Sequence, residues 1–233
     1  MRRVVYCVAT LALVSLIQSA ASAQPPERRS GRGFEFGGAP VVDAPPVPRD
    51  DAEKRALAAL DEMSQGRWYL NVTTREGRVL RQLTEVAGAK RVVEIGTSSG
   101  YSAIWLAMGV RANGGKGFTH EIDPEKVKMA ADNFKKAGVD DLITIIEGDA
   151  HETIKQHKEP IDVLFFDAEK KGYLDYLEQL LPLVRPGGLI LGHDMHGAMP
   201  DPRYIEAVTK DPNLVTSFIM MESYGISMTV KKR

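Results

Sequence analysis

Short apolar segments alternate with amphipathic segments between residues 91 and 191, and this alternation restricts the fold more than any other feature. The apolar segments predict strands, and Ile161–Phe166 is almost wholly apolar, as a strand buried on both faces should be. The predicted strands are 91–96, 117–122, 142–147, 161–166 and 189–191. Strict alternation of strand and helix indicates a parallel α/β sheet with helices on both faces. These units are too few for an eight-stranded barrel.

Helix signals fill the intervals between the strands. Thr73 and Glu76 have the spacing of a capping box, and Asp123-Pro124 is an N-cap followed by proline at the first helical position. The predicted helices are 51–65, 73–88, 101–108, 123–138, 152–157 and 173–184. The apolar runs 215–221 and 226–230 predict a terminal antiparallel hairpin. The sequence therefore predicts a seven-stranded, mostly parallel sheet whose last strand is antiparallel.

The first 50 residues have a different composition. Residues 1–23 combine Arg2-Arg3, a short apolar run and Ala21-Ser22-Ala23, which predicts a signal peptide cleaved after Ala23. An uncleaved signal anchor is the alternative, although the apolar run is short for a membrane span. Residues 24–50 hold six of the 13 prolines and predict a disordered linker before a domain at 51–233. We therefore expect an exported protein, periplasmic or secreted, without stable membrane insertion after cleavage.

The charge and cysteine content exclude several classes of protein. Lysine and arginine number 30 against 31 acidic residues, so no basic excess predicts a nucleic-acid partner. The single cysteine, Cys7, lies in the predicted signal and excludes an intramolecular disulfide framework. A small-molecule ligand is the partner that remains.

The residues after the first three strands have the character of a nucleoside site, because ligands of open α/β sheets bind beyond the carboxyl ends of the strands. Gly96 and Gly100 follow the first strand in a Gly-x-x-x-Gly spacing, which differs from the Gly-x-Gly-x-x-Gly of dinucleotide binders. Glu121 follows the second strand and can accept both ribose hydroxyls. Gly148 to Ala150 follow the third strand, where an adenine edge would lie. The alternatives are a capping carboxylate and ordinary turns.

Asp167, His193 and Asp194 follow the fourth and fifth strands and suit a divalent cation. Imidazole favours Mn, Fe or Zn over Mg. Lys170 comes one short turn after Asp167, and a lysine beside a cation and shielded from water suits a general base. The alternatives are a salt-linked loop pair and a surface lysine. His196 is close enough to be a spare ligand, and His120, His151 and His157 are expected at the surface or at helix caps.

From about Leu70 to Arg233 the chain resembles the cation-dependent class I O-methyltransferases that use S-adenosylmethionine, of the catechol and caffeoyl-coenzyme A types. The segments that carry the resemblance are Asn71–Thr73, Glu94–Ser102, Glu121–Asp123, Gly148–Ala150, Asp167–Tyr173 and Pro186–Gly188. The resemblance implies a Rossmann-like fold and S-adenosylmethionine as cofactor, with a divalent cation (Mn, Fe, Zn or Mg).

The resemblance also implies roles for matching residues. The methionine end of the cofactor would be held by Val72, Glu94, Gly96, Thr97 and Ser102. Glu121 would bind the ribose, Ala150 the adenine, and Asp167 would ligate the metal near the cofactor. Lys170 would be the general base. The family usually has Asp-Asn where this chain has His193-Asp194, so the preferred ion is expected to differ.

The expected function is transfer of a methyl group from S-adenosylmethionine to a hydroxyl of a small, catechol-like acceptor with metal assistance. A homodimer is compatible with the sequence. Two other classes of function are weighed against this one. A non-catalytic nucleoside-binding or scaffold protein is favoured by the changed His193-Asp194 pair. A nicotinamide-dependent oxidoreductase is disfavoured because the Gly-x-Gly-x-x-Gly spacing is missing.

Overall fold

The computed structural model describes residues 46–65, 71–221 and 224–233. The predicted signal and nearly all of the predicted linker lie outside these residues. The helices are α1 (Asp51–Gln65), α2 (Thr74–Val86), α3 (Tyr101–Ala112), α4 (Pro124–Ala137), α5 (Ala150–Thr153), α6 (Tyr173–Leu180) and α7 (Pro202–Lys210). The strands are β1 (Arg91–Ile95), β2 (Lys116–Glu121), β3 (Ile143–Glu147), β4 (Ile161–Phe166), β5 (Val184–His193), β6 (Leu214–Ile219) and β7 (Ile226–Lys231). Within the described ranges, no helix is long and apolar enough to cross a membrane.

The strands form one seven-stranded sheet in the order β3-β2-β1-β4-β5-β7-β6. The first five strands run parallel, and β7 is antiparallel to both of its neighbours, β5 and β6. The predicted α/β fold is confirmed, including the antiparallel last strand. Strand order reverses between β1 and β4, and such a switch point opens a crevice at the carboxyl ends of the two strands.

Alternate residues of the central strands pack on opposite faces of the sheet. Val92, Val163 and Phe165 face a core built with α1 to α4, whereas Val93 and Leu164 face a core built with α6 and α7. Because both faces are covered, nearly every residue of these strands is buried. This burial explains their continuous apolar sequence.

The predicted helix caps are confirmed. The backbone N–H of Thr73 donates to Glu76 Oε2 at 2.8 Å, and the N–H of Glu76 donates to Thr73 Oγ1 at 3.2 Å, which completes the capping box of α2. Asp123 caps α4 and Pro124 is its first residue. Asp50, the last residue of the predicted linker range, accepts the N–H of Glu53 at 2.9 Å and pairs with Arg111 at 3.1 Å.

The predicted helix at 173–184 and strand at 189–191 are wrong in their bounds. The α-helix ends at Leu180, and a 3₁₀ turn follows at Leu181–Leu183. Pro182 explains the early end, because proline lacks an N–H and its ring clashes with the preceding turn of a helix. The strand begins at Val184 and continues to His193, with a bulge that absorbs the Pro-Gly-Gly segment. These residues therefore interrupt a strand, whereas the prediction had them end a helix.

No element is predicted between residues 192 and 214, where the structure has α7. Asp201 caps this helix by accepting the N–H of Arg203 at 2.9 Å, and Pro202 is its first residue. The same Asp-Pro signal predicts the start of α4, so this signal could have found α7 as well.

Candidate functional site

The backbones of β1 and β4 come together at the switch point. The N–H of Asp167 donates to the carbonyl of Ile95 at 2.8 Å. Gly96 has a φ of 100°, and a Cβ atom on it would overlap the backbone carbonyl of Asp167. Glycine is therefore required at position 96, because no side chain would fit between the two strand ends.

Glu94 lies buried beneath this crevice, with 1% of its surface exposed. Its carboxylate accepts hydrogen bonds from Ser102 Oγ at 2.5 Å and Thr119 Oγ1 at 2.6 Å. Thr119 Oγ1 also lies 2.6 Å from Thr97 Oγ1. Burial raises the pKa of Glu94 to about 8, although the two hydroxyl donors oppose that shift. The structure thus brings Glu94, Thr97 and Ser102 together as predicted and adds Thr119, which the sequence analysis missed.

Glu121 has more partners than the sequence analysis expected. Its Oε1 accepts the N–H groups of Ile122 and Asp123, each at 3.0 Å, and its Oε2 accepts the N–H of Ser98 at 2.8 Å. A carboxylate offers about four acceptor positions, so roughly one of them stays open on Oε2. Glu121 therefore holds the loop after β1 in place, and a grip on both ribose hydroxyls would have to displace some of these bonds.

A cavity of about 190 Å³ opens beside Glu121. Its lining includes Gly96, Gly148, Ala150, His151 and Glu169. Gly96, Glu121 and the Gly148–Ala150 turn therefore face one cavity, whereas Gly100 does not line it. Val72 does not line this cavity and is buried in the core beside α3. Its neighbour Asn71 accepts a hydrogen bond from Ser99 Oγ at 2.8 Å, which ties the segment before α2 to the loop after β1.

Asp167, His193 and Asp194 meet at the carboxyl ends of β4 and β5. One ligand atom from each residue can be chosen so that all three lie within 4.8 Å of one another. His193 Nδ1 lies 3.0 Å from Asp167 Oδ1 and 3.5 Å from Asp194 Oδ1. Asp194 has a left-handed backbone with a φ of 59°, a conformation that is uncommon among non-glycine residues but that aspartate tolerates better than most. The predicted metal ligands thus converge, and two carboxylates with an imidazole suit a transition metal.

Lys170 reaches the same cluster from the 3₁₀ turn at Lys170–Gly172. Its Nζ lies 2.8 Å from Asp194 Oδ2 and donates to the carbonyl of Ala168 and to Tyr173 Oη, both at 2.9 Å. Tyr173 Oη in turn donates to the carbonyl of Phe166 at 2.7 Å. Tyr173 is fully buried and was not predicted to belong to the site, although it lies within the matched segment. It fixes the position of the Lys170 ammonium group.

Glu76 also joins the cluster, and the sequence analysis assigned it only to the capping box. Its carboxylate is completely buried, and Oε2 lies 3.3 Å from His193 Nε2. Burial lowers the pKa of His193, but the hydrogen bonds to Asp167 and Glu76 outweigh that effect and raise it to about 10. The pKa is raised because each ring nitrogen of His193 faces a carboxylate.

Two of the histidines expected at the surface or at caps are buried. His120 is 1% exposed and His157 is 3% exposed, and their Nε2 atoms lie 2.9 Å apart. His120 points into the protein because both faces of β2 are covered. Arg91 can only donate to His157 Nδ1, at 3.1 Å, so His157 Nε2–H donates to His120 and His120 Nδ1–H donates to Thr153. His151 and His196 are at least partly exposed, as expected.

The chain is similar to known O-methyltransferases. A family model described as O-methyltransferase matches residues 51–198. Catechol O-methyltransferase of Niastella koreensis is 34% identical over 151 residues, which cover 63% of this chain and 66% of the relative. Caffeoyl-CoA O-methyltransferase 2 of Zea mays is 34% identical over 161 residues, which cover 66% of this chain and 60% of the relative. The chain thus spans slightly less than two thirds of the length of these curated relatives.

Solved structures extend the likeness over most of the fold. The O-methyltransferase from Bacillus cereus in complex with SAH has a TM-score of 0.65 and 29% identity, over 80% of this chain and 93% of that one. TomG from Streptomyces achromogenes, an O-methyltransferase of tomaymycin synthesis in complex with SAM, has a TM-score of 0.64 and 26% identity, over 80% and 92% of the two chains. Because the O-methyltransferase family model matches more than half of the residues of this chain, the chain belongs to the O-methyltransferase family.

Proposed function

We propose that the protein transfers a methyl group from S-adenosylmethionine to a hydroxyl of a small aromatic diol, with the help of a divalent cation. The observation that carries this proposal is the position of Lys170 Nζ, 2.8 Å from Asp194 within the Asp167–His193–Asp194 cluster and next to the cavity at the switch point. A base, a ligand set for a cation and a candidate cofactor cavity meet at one edge of the sheet. The catechol O-methyltransferases among the relatives support the acceptor class.

In the proposed arrangement the cavity beside Glu121 and Ala150 takes the nucleoside, and buried Glu94 faces the positively charged methionine end. Asp167, His193 and Asp194 would hold the cation, which when bound would lower the pKa of an acceptor hydroxyl. Lys170 accepts the hydroxyl proton. The bond from sulfur to the methyl carbon then breaks as the bond from oxygen to that carbon forms, which leaves S-adenosylhomocysteine. Holding the two reactants in line supplies much of the acceleration.

The direct test is methyl transfer to a panel of catechols by the purified protein, together with calorimetry of S-adenosylhomocysteine and NAD. We expect turnover of catechols and binding of S-adenosylhomocysteine but not of NAD. Lys170→Met should lose turnover by about 100-fold or more and keep cofactor affinity, since a positioned general base contributes roughly that factor. Lys171→Met, an exposed lysine next in sequence, is the matched control. Cofactor binding without turnover of any acceptor would favour the non-catalytic alternative, and binding of NAD would favour the oxidoreductase.

Export is a separate proposal that rests on residues 1–23 alone. The charged start, the short apolar run and Ala21-Ser22-Ala23 support it. S-adenosylmethionine is made in the cytoplasm, and an exported enzyme of this kind would need it outside. Localisation and cofactor supply therefore have to be measured together.

A further inference from the structure

The contact between Glu76 and His193 joins two elements far apart in sequence. Glu76 lies in the first turn of α2, whereas His193 ends β5. Both side chains are almost wholly inaccessible to solvent, with exposures of 0% and 2%. A carboxylate in such a place is costly unless its oxygens have partners. The N–H of Thr73 and the imidazole of His193 are both within bonding distance of Oε2.

The two nitrogens of the His193 ring have different surroundings. Nδ1 faces Asp167 and Asp194, the two carboxylates of the candidate cation site, and Nε2 faces Glu76. A histidine that ligates a metal through one nitrogen commonly donates its other N–H to a carboxylate, which fixes the ring and its tautomer. Glu76 stands in that position relative to His193. The donor set therefore fits a cation bound at Nδ1.

We propose that Glu76 is a positioning residue for the cation site: it accepts the Nε2–H of His193 and so leaves the lone pair of Nδ1 free for a cation that Asp167 and Asp194 also bind. This inference rests on the metal assistance in the proposed function. Glu76 itself does not touch the cation, because the imidazole ring lies between them. The capping box holds the carboxylate in place, so the N-terminal turn of α2 is coupled to the ligand geometry at the end of β5.

Glu76→Gln removes the negative charge of this side chain and keeps an acceptor oxygen in the place of Oε2, which both partners contact. Glutamine can complete a capping box, so the hydrogen bond from Thr73 is kept. The negative charge that faces Nε2 is lost. Glu85→Gln is the matched control, because Glu85 is an exposed carboxylate on the same helix and its contact with Arg81 is a loose ion pair, at 3.8 Å.

The experiment is calorimetric titration of the full chain with MnCl₂, repeated with MgCl₂. For Glu76→Gln we expect Mn²⁺ affinity to fall about 10- to 100-fold, the usual loss when a carboxylate behind a metal-bound histidine is removed. Affinity for S-adenosylhomocysteine should not change in this variant. Glu85→Gln should bind Mn²⁺ as the unchanged protein does. A purely structural role for Glu76 would lower the unfolding temperature without moving the Mn²⁺ affinity.

The outcomes distinguish this inference from the proposed function. Unchanged Mn²⁺ affinity in folded Glu76→Gln overturns the inference and leaves methyl transfer untouched. If the unchanged protein methylates catechols but binds no Mn²⁺, both the inference and the metal assistance are overturned while the methyltransferase stands. If Glu76→Gln does not fold, nitrogen-15 NMR of the unchanged protein loaded with Zn²⁺ decides. A proton on Nε2 of His193 supports the inference, and a proton on Nδ1 overturns it.

Discussion

The ammonium group of Lys170 lies 2.8 Å from Oδ2 of Asp194, so a lysine pairs with a carboxylate that we propose as a metal ligand. Ala168 and Tyr173 accept from the same nitrogen, both at 2.9 Å. An ammonium group has three donors, and here each of them has a partner. Lys170 must therefore give up one of these three protons before it can accept a proton from a substrate, and one of the three hydrogen bonds is then lost. A cation bound to the Asp194 carboxylate would free Lys170 from that partner.

We predict that a chelator abolishes methyl transfer and that Mn, Fe or Zn restores it better than Mg. Imidazole is the reason, because it is a softer ligand than the oxygens that Mg prefers. His193→Asp should shift the preference towards Mg, and Asp167→Ala should lose activity. The measurement is initial rate after chelation and addition of single ions. Full activity in chelator would show that Asp167, His193 and Asp194 act without a metal.

Glu121→Gln should weaken binding of S-adenosylhomocysteine about tenfold or more. A hydrogen bond to a charged group is worth about 1.5–3 kcal/mol, and about 1.4 kcal/mol corresponds to a factor of ten. The same change should lower the free energy of unfolding by about 1–3 kcal/mol. Glutamine has one acceptor oxygen in place of two, so at least one of the N–H groups of Ser98, Ile122 and Asp123 loses its partner. Calorimetry and urea unfolding measure the two effects. Glu125→Gln, at an exposed carboxylate on α4, should change neither.

The affinity for S-adenosylmethionine should increase with pH between about 6 and 9. The pKa of Glu94 is raised to about 8 by burial, so this carboxyl group is largely protonated at neutral pH in the free protein. A cationic ligand favours the ionised form, and binding at pH 7 must then release a proton at a cost of about tenfold in affinity relative to pH 9. Calorimetry in buffers of different ionisation enthalpy measures that proton. Glu94→Gln should remove the pH dependence, and a flat profile in the unchanged protein would contradict the assignment.

The His120–His157 pair should make the fold sensitive to acid. Burial lowers the pKa of His120 to about 3, and repulsion from His157 adds to that shift. Burial lowers the pKa of His157 to about 4, and the charge of Arg91 adds to that one. At about pH 8 both rings are neutral in the folded and the unfolded chain and have almost no effect on stability, because the pKa of an unperturbed histidine is about 6.5. As the pH falls towards 4, the unfolded chain binds protons that the folded chain excludes, so the free energy of unfolding decreases.

Urea unfolding between pH 4 and 8 measures this loss. Each pKa unit of depression corresponds to about 1.4 kcal/mol once the pH has fallen below both values. His157→Gln should make the decrease with acid shallower, because one of the two excluded protons is gone. His196→Gln, at an exposed histidine, is the control and should keep the full slope. Stability that stays constant from pH 7 to pH 4.5 would refute the proton exclusion.

The mature protein isolated from its native host should begin at Gln24 or within a few residues of it. Ala21-Ser22-Ala23 has the small residues that signal cleavage needs. Sequencing of the N-terminus in each cell fraction is the measurement. An intact Met1 in a soluble cytoplasmic fraction would contradict export.

Local patterns in the sequence determined the order of the seven strands and of the helices that precede α7. Ile161–Phe166 could be predicted residue for residue, because a strand buried on both faces has a continuous apolar sequence that begins and ends sharply. The capping box at Thr73 and the Asp-Pro start of α4 are equally local. The predicted end of α6 is wrong because Pro186-Gly187-Gly188 has the composition of a helix end. In the structure these residues form the bulge of β5.

Only the tertiary structure decided which distant side chains meet. The sequence placed Asp167, His193 and Asp194 after neighbouring strands, and the order of parallel strands was enough to bring them together. Nothing in the sequence connected Glu76 to His193, or His120 to His157, because those contacts depend on how α2 and the segment after α5 pack against the sheet. A hydrogen bond between side chains far apart in sequence has no period or spacing to reveal it. It exists only when packing brings the two groups to within about 3 Å of each other and away from water.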